Sequence, residues 1–425
     1  SWDIKGHIDF EPPSTTKNYD DSLLGVPVPL VAHEMAQFET YPDYKEIEKY
    51  TGVLKARNFE IFRERLKKAG MMDQAEDFFK ASGALSVICH REDVESEIRT
   101  RGMAGFQLLD IQDFSGQGTA LIGILDVFMD SKGLIASEKW REFCCETVPL
   151  LIMRKYTWTN DETFLARVQV AHYGPGDLVD QQVLWTLRAG DQVVADGCFD
   201  VDCIPTGDLS EIGLVSASLA SVSNASKLVL EIALPGTSYR NSYDLWVYPS
   251  KIETTEPDDV LITRRWSDAK KKLADGGRVV LLPERGTLKD TVAMAFQTGF
   301  WSPMFRIKGR TNPATGGETP GTQGLLLDPE HPLFEGFPTE FHSNWQWWHF
   351  CKNCDPMILD ATPQDYRPTL QVIDGIDRNH KLGLIAEAKV GNGKLLICSI
   401  DLPALQEQPE ARQFLACLYR YVGSD

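Results

Sequence analysis

The 425-residue chain contains no uninterrupted apolar run of the roughly 18 residues that a membrane-spanning helix needs. Positive charge is scarce, because 43 Lys and Arg residues stand against 61 Asp and Glu residues, for a formal net charge of −18. Nucleic acids and anionic membranes are bound through clustered Lys and Arg, so this balance argues against both partners. No basic start followed by an apolar segment is present, so no signal peptide is recognised. The chain begins with Ser1 rather than Met, and we expect that residue 1 is not the natural start.

A disulfide framework is also missing, since the nine cysteines are odd in number and scattered. Cys351 and Cys354 form a single CxxC pattern without a second pair or a suitably spaced histidine. Zinc binding or redox chemistry is one interpretation of this pair, and two ordinary thiols are the other. We predict no metal site and no cofactor.

Three regions differ in pattern. Residues 1–150 alternate apolar runs with helix-like segments, which is typical of a parallel, helix-covered barrel. Residues 151–249 contain short segments of alternating polarity separated by turn residues, and these predict a β-sandwich. In residues 250–425 the α/β order returns, and we expect a mobile loop over 308–322.

Within the first region, the spacing of apolar residues predicts helices over Tyr44–Gly52 and Met71–Ser82. Gly83 is expected to end the second of these. A separate polar helix is predicted over Glu92–Arg101, followed by a short strand over Gly105–Ile111.

The most informative segment is the apolar run Val26–Ala32, predicted as a buried strand with its two prolines at the start. The run ends at His33 and Glu34. A carboxylate at the exit of a buried parallel strand is where an α/β barrel places a catalytic group. The alternative is a structural glutamate that pairs with a neighbouring Arg or Lys.

A second strand followed by carboxylates lies some seventy residues later, in residues 102–118, where Asp110 and Asp113 precede a glycine-rich turn. Together with Glu34, this segment resembles the last two barrel strands of glycoside hydrolase family 2, the β-galactosidase-like family, over roughly residues 25–135. The sandwich that follows is similar to that of many multidomain members. The expected fold is therefore multidomain α/β plus all-β: a partial (β/α)8 barrel, an immunoglobulin-like β-sandwich and a flavodoxin-like domain.

The resemblance implies a retaining exo-β-glycosidase that releases terminal sugars from oligosaccharides or polysaccharides, as in proteins of polysaccharide-degrading gut bacteria. It makes Glu34 the nucleophile, with His33 and Gln37 beside it. Asp110 and Asp113 would lie at the rim of the pocket and bind sugar hydroxyls. The alternatives are packing and hydrogen-bond support for His33 and Gln37, and capping or ion pairing for the two aspartates.

Two departures from the family pattern matter. Leu109 stands where the family has a sugar-stacking Trp, and the Asn-Glu pair that carries the family's acid/base is absent. The first six barrel strands need about 200 residues, whereas 33 residues precede Glu34. The expected partners are thus a carbohydrate substrate and a missing N-terminal barrel half, from the same gene product or a second chain, with homo-oligomerisation left open. By resemblance, the expected location is periplasmic or secreted in a bacterium.

The C-terminal region has an aromatic cluster in residues 337–349, centred on Trp345. Its tryptophans could stack on sugar rings or lie buried at a domain interface. The surrounding pattern resembles the glutamine-amidotransferase-like, flavodoxin-type domains appended to some β-galactosidases. No cysteine lies on a glycine-flanked turn after a strand, so we expect this domain to be catalytically silent. The alternative functions are a non-catalytic carbohydrate-binding or assembly protein and, with less support, an isolated amidotransferase-like enzyme.

Overall fold

The computed structural model describes residues 6–109, 111–300 and 320–424. Asp110 and most of the loop expected over 308–322 lie outside these residues. The described part is mixed α/β with several sheets, and no closed barrel forms within it.

The helices are distributed over the whole chain. They are α1 Gly6–Phe10, α2 Asp20–Leu23, α3 Arg57–Lys68, α4 Ala75–Ile98, α5 Ser137–Trp140, α6 Trp266–Ala274, α7 Trp348–Lys352 and α8 Pro409–Gly423, with 3-10 turns at Tyr44–Lys49, Met72–Gln74, Pro332–Phe334, Trp345–Trp347 and Leu402–Leu405.

The first region contains one parallel pair of strands, β1 Leu30–Met35 and β2 Met103–Leu108. Helices α3 and α4 lie between them in the chain, so the unit is a parallel strand pair with a helical crossover. A parallel pair was expected here, but two strands do not confirm a partial barrel.

The prediction of a buried strand over Val26–Ala32 was wrong in its position and burial. The strand begins only at Leu30, because Pro27 and Pro29 cannot donate to a strand ladder. Val28 and Val31 are mostly exposed, since a two-stranded sheet leaves this surface uncovered.

The prediction that Gly83 ends a helix was also wrong. Helix α4 runs unbroken from Ala75 to Ile98 and includes the helix expected separately over Glu92–Arg101. Gly83 is buried within it, where a Cβ would collide with Leu134. The glycine therefore serves close packing rather than termination. The segment predicted as a helix over Tyr44–Gly52 is a short 3-10 turn, Tyr44–Lys49.

Two packed sheets form the middle region, as expected for a sandwich. The strands are β3 Thr147–Ile152, β4 Thr157–Thr159, β5 Thr163–His172, β6 Leu178–Ala189, β7 Gln192–Ile204, β8 Asp208–Ser218, β9 Ser226–Ala233 and β10 Arg240–Tyr248. One sheet has the order β3-β5-β8 and the other β4-β10-β9-β6-β7, with a shared apolar core. Pairing is antiparallel except between β4 and β10, and the immunoglobulin-like assignment stays a prediction.

The last region holds a mixed sheet. Its strands are β11 Val260–Thr263, β12 Arg278–Leu281, β13 Leu325–Leu327, β14 Met357–Ile358, β15 Leu370–Val372, β16 Leu382–Val390 and β17 Gly393–Cys398. They have the order β11-β12-β17-β16-β15-β13, with β14 paired to β16. β11, β12 and β17 are parallel, whereas the other pairings are antiparallel. This mixed arrangement does not confirm the flavodoxin-like prediction.

The regions are joined by a shared interior and by the N-terminal segment. Ile8 belongs to the same apolar core as the sandwich and the mixed sheet, and its carbonyl accepts the Trp348 indole N–H at 2.8 Å. Further along, Thr15 is fully buried and accepts the Met153 N–H at 2.8 Å. The N-terminal segment thus contacts both the sandwich region and the mixed-sheet region.

Candidate active site

The carboxyl end of β1 is irregular at the position of the candidate nucleophile. Ala32 pairs with Phe106 and Met35 with Leu108, so two residues of β1 face Gln107 alone. The extra residue defines a β-bulge, a feature that often re-aims a side chain near active sites. Glu34 therefore lies within the strand at a bulge, whereas the sequence placed it just after the strand.

The bulge has an uncommon backbone conformation. Glu34 and Ala36 have φ values of 56° and 60°, in the left-handed region that non-glycine residues rarely occupy. Such conformations persist only where surrounding contacts hold them, and they cluster at functional sites.

Three of the predicted site residues come together at this bulge. His33 Nε2 lies 3.5 Å from Glu34 Oε1, and Gln37 Nε2 donates to the Glu34 carbonyl at 2.7 Å. His33 Nδ1 is 3.0 Å from Gln107 Oε1, which links the imidazole to β2. The Glu34 side chain is 49% exposed, so a substrate can reach its carboxylate.

Helix α4 supplies a hydrogen-bond acceptor to the segment at the bulge. Asp93 Oδ2 accepts the N–H of Ala36 at 2.8 Å. Glu97, one turn further on, is buried, and burial raises its pKa to about 7. Neither carboxylate was recognised in the sequence, because both lie in a segment interpreted as an ordinary polar helix.

Asp113 is buried, whereas a sugar-binding aspartate was expected at the pocket rim. Both of its carboxylate oxygens accept from Lys132 Nζ, at 2.9 and 3.0 Å, and one also accepts the Gly123 N–H at 2.8 Å. Burial raises the pKa of the Asp113 carboxyl, although Lys132 and Gly123 each lower it in part. This is the ion-pairing arrangement that was the alternative for this residue.

Glu46 is a buried carboxyl group that sequence reasoning missed. It is 3% exposed, and neither carboxylate oxygen has a hydrogen-bond partner among the described residues. Burial raises its pKa to about 8, and the nearby Asp113 carboxylate adds to the rise. This raised pKa favours the neutral form of the Glu46 carboxyl group. The charged sequence of the 3-10 turn around Glu46 does not indicate a buried residue.

Trp345 lies at the interface between the sandwich and the mixed-sheet region. It is 8% exposed and stacks on Tyr156 and on Phe296, with ring centroids 5.4 Å apart in each case. Trp347 and Trp348 are buried as well. The tryptophans are therefore buried at a domain interface, which was the alternative to stacking on sugar rings. We leave Trp345 out of the proposed site.

The CxxC cysteines are interior thiols. Both are buried, and burial raises the pKa of Cys351 and of Cys354. Within the described ranges, no group of three or more His, Cys, Asp or Glu residues could hold a metal ion. The described helices also include none that is long and apolar enough to cross a membrane.

Two domain families match parts of the chain. Residues 162–249, within the sandwich, match a domain of unknown function (DUF8488). Residues 261–425, which contain most of the mixed sheet, match a second domain of unknown function (DUF8487). A search of curated proteins gives no significant match.

Three solved structures match parts of the chain with low overall similarity. An exo-chitosanase from Amycolatopsis orientalis, in complex with PNP-β-D-glucosamine, is 13% identical with a TM-score of 0.28, over 46% of this chain and 22% of that chain. A family 123 glycoside hydrolase from Clostridium perfringens is 5% identical with a TM-score of 0.17, over 29% of this chain and 28% of that chain. A sporulation control protein from Bacillus subtilis is 11% identical with a TM-score of 0.18, over 25% and 49%. Two of these three proteins are glycoside hydrolases, and the matched region spans less than a quarter of the exo-chitosanase.

Proposed function

We propose that this chain is the C-terminal portion of a retaining exo-β-glycosidase of β-galactosidase-like type. The observation that carries the proposal is the exposed carboxylate of Glu34 on a strained bulge of a parallel strand, beside His33 and Gln37. A bulge that presents a carboxylate to solvent is suited to attack on a bound sugar.

In the complete protein, a Glu34 carboxylate oxygen would form a bond to the anomeric carbon as the bond to the leaving oxygen breaks. A second carboxyl group, outside this chain, would protonate that oxygen and then take a proton from the water that releases the sugar. His33 lies on the Glu34 carboxylate and Gln37 on its carbonyl, so both would orient the nucleophile. This chemistry needs no cofactor.

The second carboxyl group would come from a further barrel segment that packs on β1 and β2. Parallel sheets are normally covered on both faces, yet Val31 on β1 is 57% exposed and Val28, just before the strand, is 60% exposed. We propose that strands from the same gene product or from a second chain cover them. The complete enzyme would then act on neutral oligosaccharides or polysaccharides in the bacterial periplasm or outside the cell.

The test uses the longest natural chain that contains this sequence, assayed on aryl β-glycosides. Glu34→Gln should lower kcat on the order of 10³-fold or more, because the amide is a poor nucleophile. The matched control Glu231→Gln, at an exposed position of β9, should keep wild-type activity. Wild-type activity in Glu34→Gln would contradict the proposed nucleophile. An inactive wild-type chain on every glycoside tested would favour a non-catalytic carbohydrate-binding protein.

A further inference from the structure

The bulge at Glu34 needs a group that holds it. Left-handed backbone is unfavourable for non-glycine residues, and the φ values of Glu34 and Ala36 place both residues there. The parallel ladder is itself interrupted at this point, since the register shifts between Ala32 and Met35. Strand pairing is therefore interrupted at the residues next to the strained backbone.

Asp93 provides the missing contact. Ala36 is 2% exposed, so water has little access around its N–H, and Asp93 Oδ2 accepts that N–H at 2.8 Å. Burial raises the pKa of the Asp93 carboxyl group, and the Ala36 N–H opposes part of that rise by stabilising the carboxylate. A buried N–H without an acceptor is costly. Asp93 belongs to α4, the crossover helix between the two strands, so the same unit that carries Glu34 also positions this acceptor.

Other charged groups face Asp93, but none replaces it at Ala36. His7 and Glu92 lie close enough to influence its carboxylate. Asp93 also contributes to the raised pKa of Glu97, which lies on the next turn of α4. The Ala36 N–H is bonded to Asp93 rather than to any of these.

We propose that Asp93 is a positioning residue for Glu34: by accepting the Ala36 N–H, it holds the β1 bulge and thereby fixes the direction of the Glu34 carboxylate. Its effect on catalysis rests on the proposed function, whereas its effect on the bulge is a property of this chain. Asp93 acts through the backbone and need not touch substrate.

The experiment follows the Ala36 amide by NMR in this 425-residue chain, labelled with [15N]alanine. Asp93→Ala should speed exchange of the Ala36 amide about tenfold or more and move its proton resonance upfield, because the carboxyl acceptor is lost. Asp93→Asn keeps a neutral acceptor, so it should produce a smaller change in the same direction. The matched control Asp77→Ala, at an exposed position of α4, should leave Ala36 unchanged. An unchanged Ala36 amide in Asp93→Ala would overturn the proposal. If that variant does not fold, an unmoved Ala36 resonance in Asp93→Asn would overturn it.

A kinetic measurement on the longest natural chain separates this inference from the proposed function. Asp93→Ala should lower kcat while KM stays nearly constant, and Asp93→Asn should recover part of the loss. A released Ala36 amide with unchanged kcat would refute the positioning role. A wild-type chain without glycosidase activity would refute the proposed function, and the Ala36 amide would still decide whether Asp93 holds the bulge.

Discussion

The Lys132 ammonium group lies 2.9 and 3.0 Å from the two carboxylate oxygens of Asp113, and both side chains are almost fully buried. Lys132 also donates to the Gly123 carbonyl at 3.0 Å and to Thr40 Oγ1 at 3.2 Å. Because Thr40 follows β1 while Asp113 and Gly123 follow β2, this one cation joins the segments beyond the two parallel strands.

Replacing Lys132 tests the structural role of that pair. Lys132→Met should lower the free energy of unfolding by about 3–5 kcal/mol, because it leaves the Asp113 charge buried without its partner. Denaturant unfolding measures the change. As a control, Lys80→Met removes an exposed ion pair with Glu76 and should cost about 0–1 kcal/mol. Equal losses in the two variants would show that the buried pair has no special role.

Parts of this architecture are readable in the sequence and parts are not. The alternating polarity of segments such as Phe164–Val170 and Leu228–Ile232 predicts strands, and strands form there. The pattern is reliable because one face of each strand lies in the core and the other in solvent. The prediction that Gly83 ends a helix was wrong because the role of this glycine depends on its contact with Leu134, which is distant in the chain.

The candidate site shows the same division. The arrangement of His33, Glu34 and Gln37 follows from their closeness in sequence and is expected from the strand pattern. The bulge, the buried state of Asp113 and the Asp93 contact depend on how α4 and β2 pack against β1. No local pattern contains that information. Trp345 likewise could not be assigned to a surface or an interface from aromatic content alone.

Ionisation of Glu46 should lower the free energy of unfolding as pH rises. Its folded-state pKa, about 8, is above the ordinary value of 4.5, so the folded state binds its proton more tightly than the unfolded state does. The associated stability is fully present below pH 4.5 and is lost as pH rises to about 8. Glu46→Gln keeps a neutral side chain at every pH. At pH 9 its free energy of unfolding should exceed that of wild type by roughly a few kcal/mol.

Denaturant unfolding of wild type and Glu46→Gln between pH 4 and pH 9 measures this difference. The two proteins should be similar at pH 4 and should diverge as pH rises. Glu48→Gln, at an exposed position two residues away, should follow wild type throughout. Parallel curves for wild type and Glu46→Gln would contradict the raised pKa.

Tyr243 anchors α4 to the sandwich through its hydroxyl. The hydroxyl donates to Glu95 Oε2 at 3.0 Å and accepts the Leu151 N–H at 3.2 Å, all in the interior. Tyr243→Phe should lower the free energy of unfolding by about 1–3 kcal/mol, because buried polar groups lose their partner. Tyr239→Phe removes an exposed hydroxyl contact to Glu146 and should have a smaller effect. Equal stability of Tyr243→Phe and wild type in denaturant unfolding would argue against this anchor.

Covalent trapping of the nucleophile tests the proposed role of Glu34. The longest natural chain would be incubated with an activated 2-deoxy-2-fluoro-β-glycoside, then digested and mapped by mass spectrometry. A retaining mechanism that uses Glu34 predicts one added fluoroglycosyl group on the peptide containing Glu34, and none in Glu34→Gln. A label on another carboxylate, or turnover without any label on Glu34, would show that Glu34 is not the nucleophile.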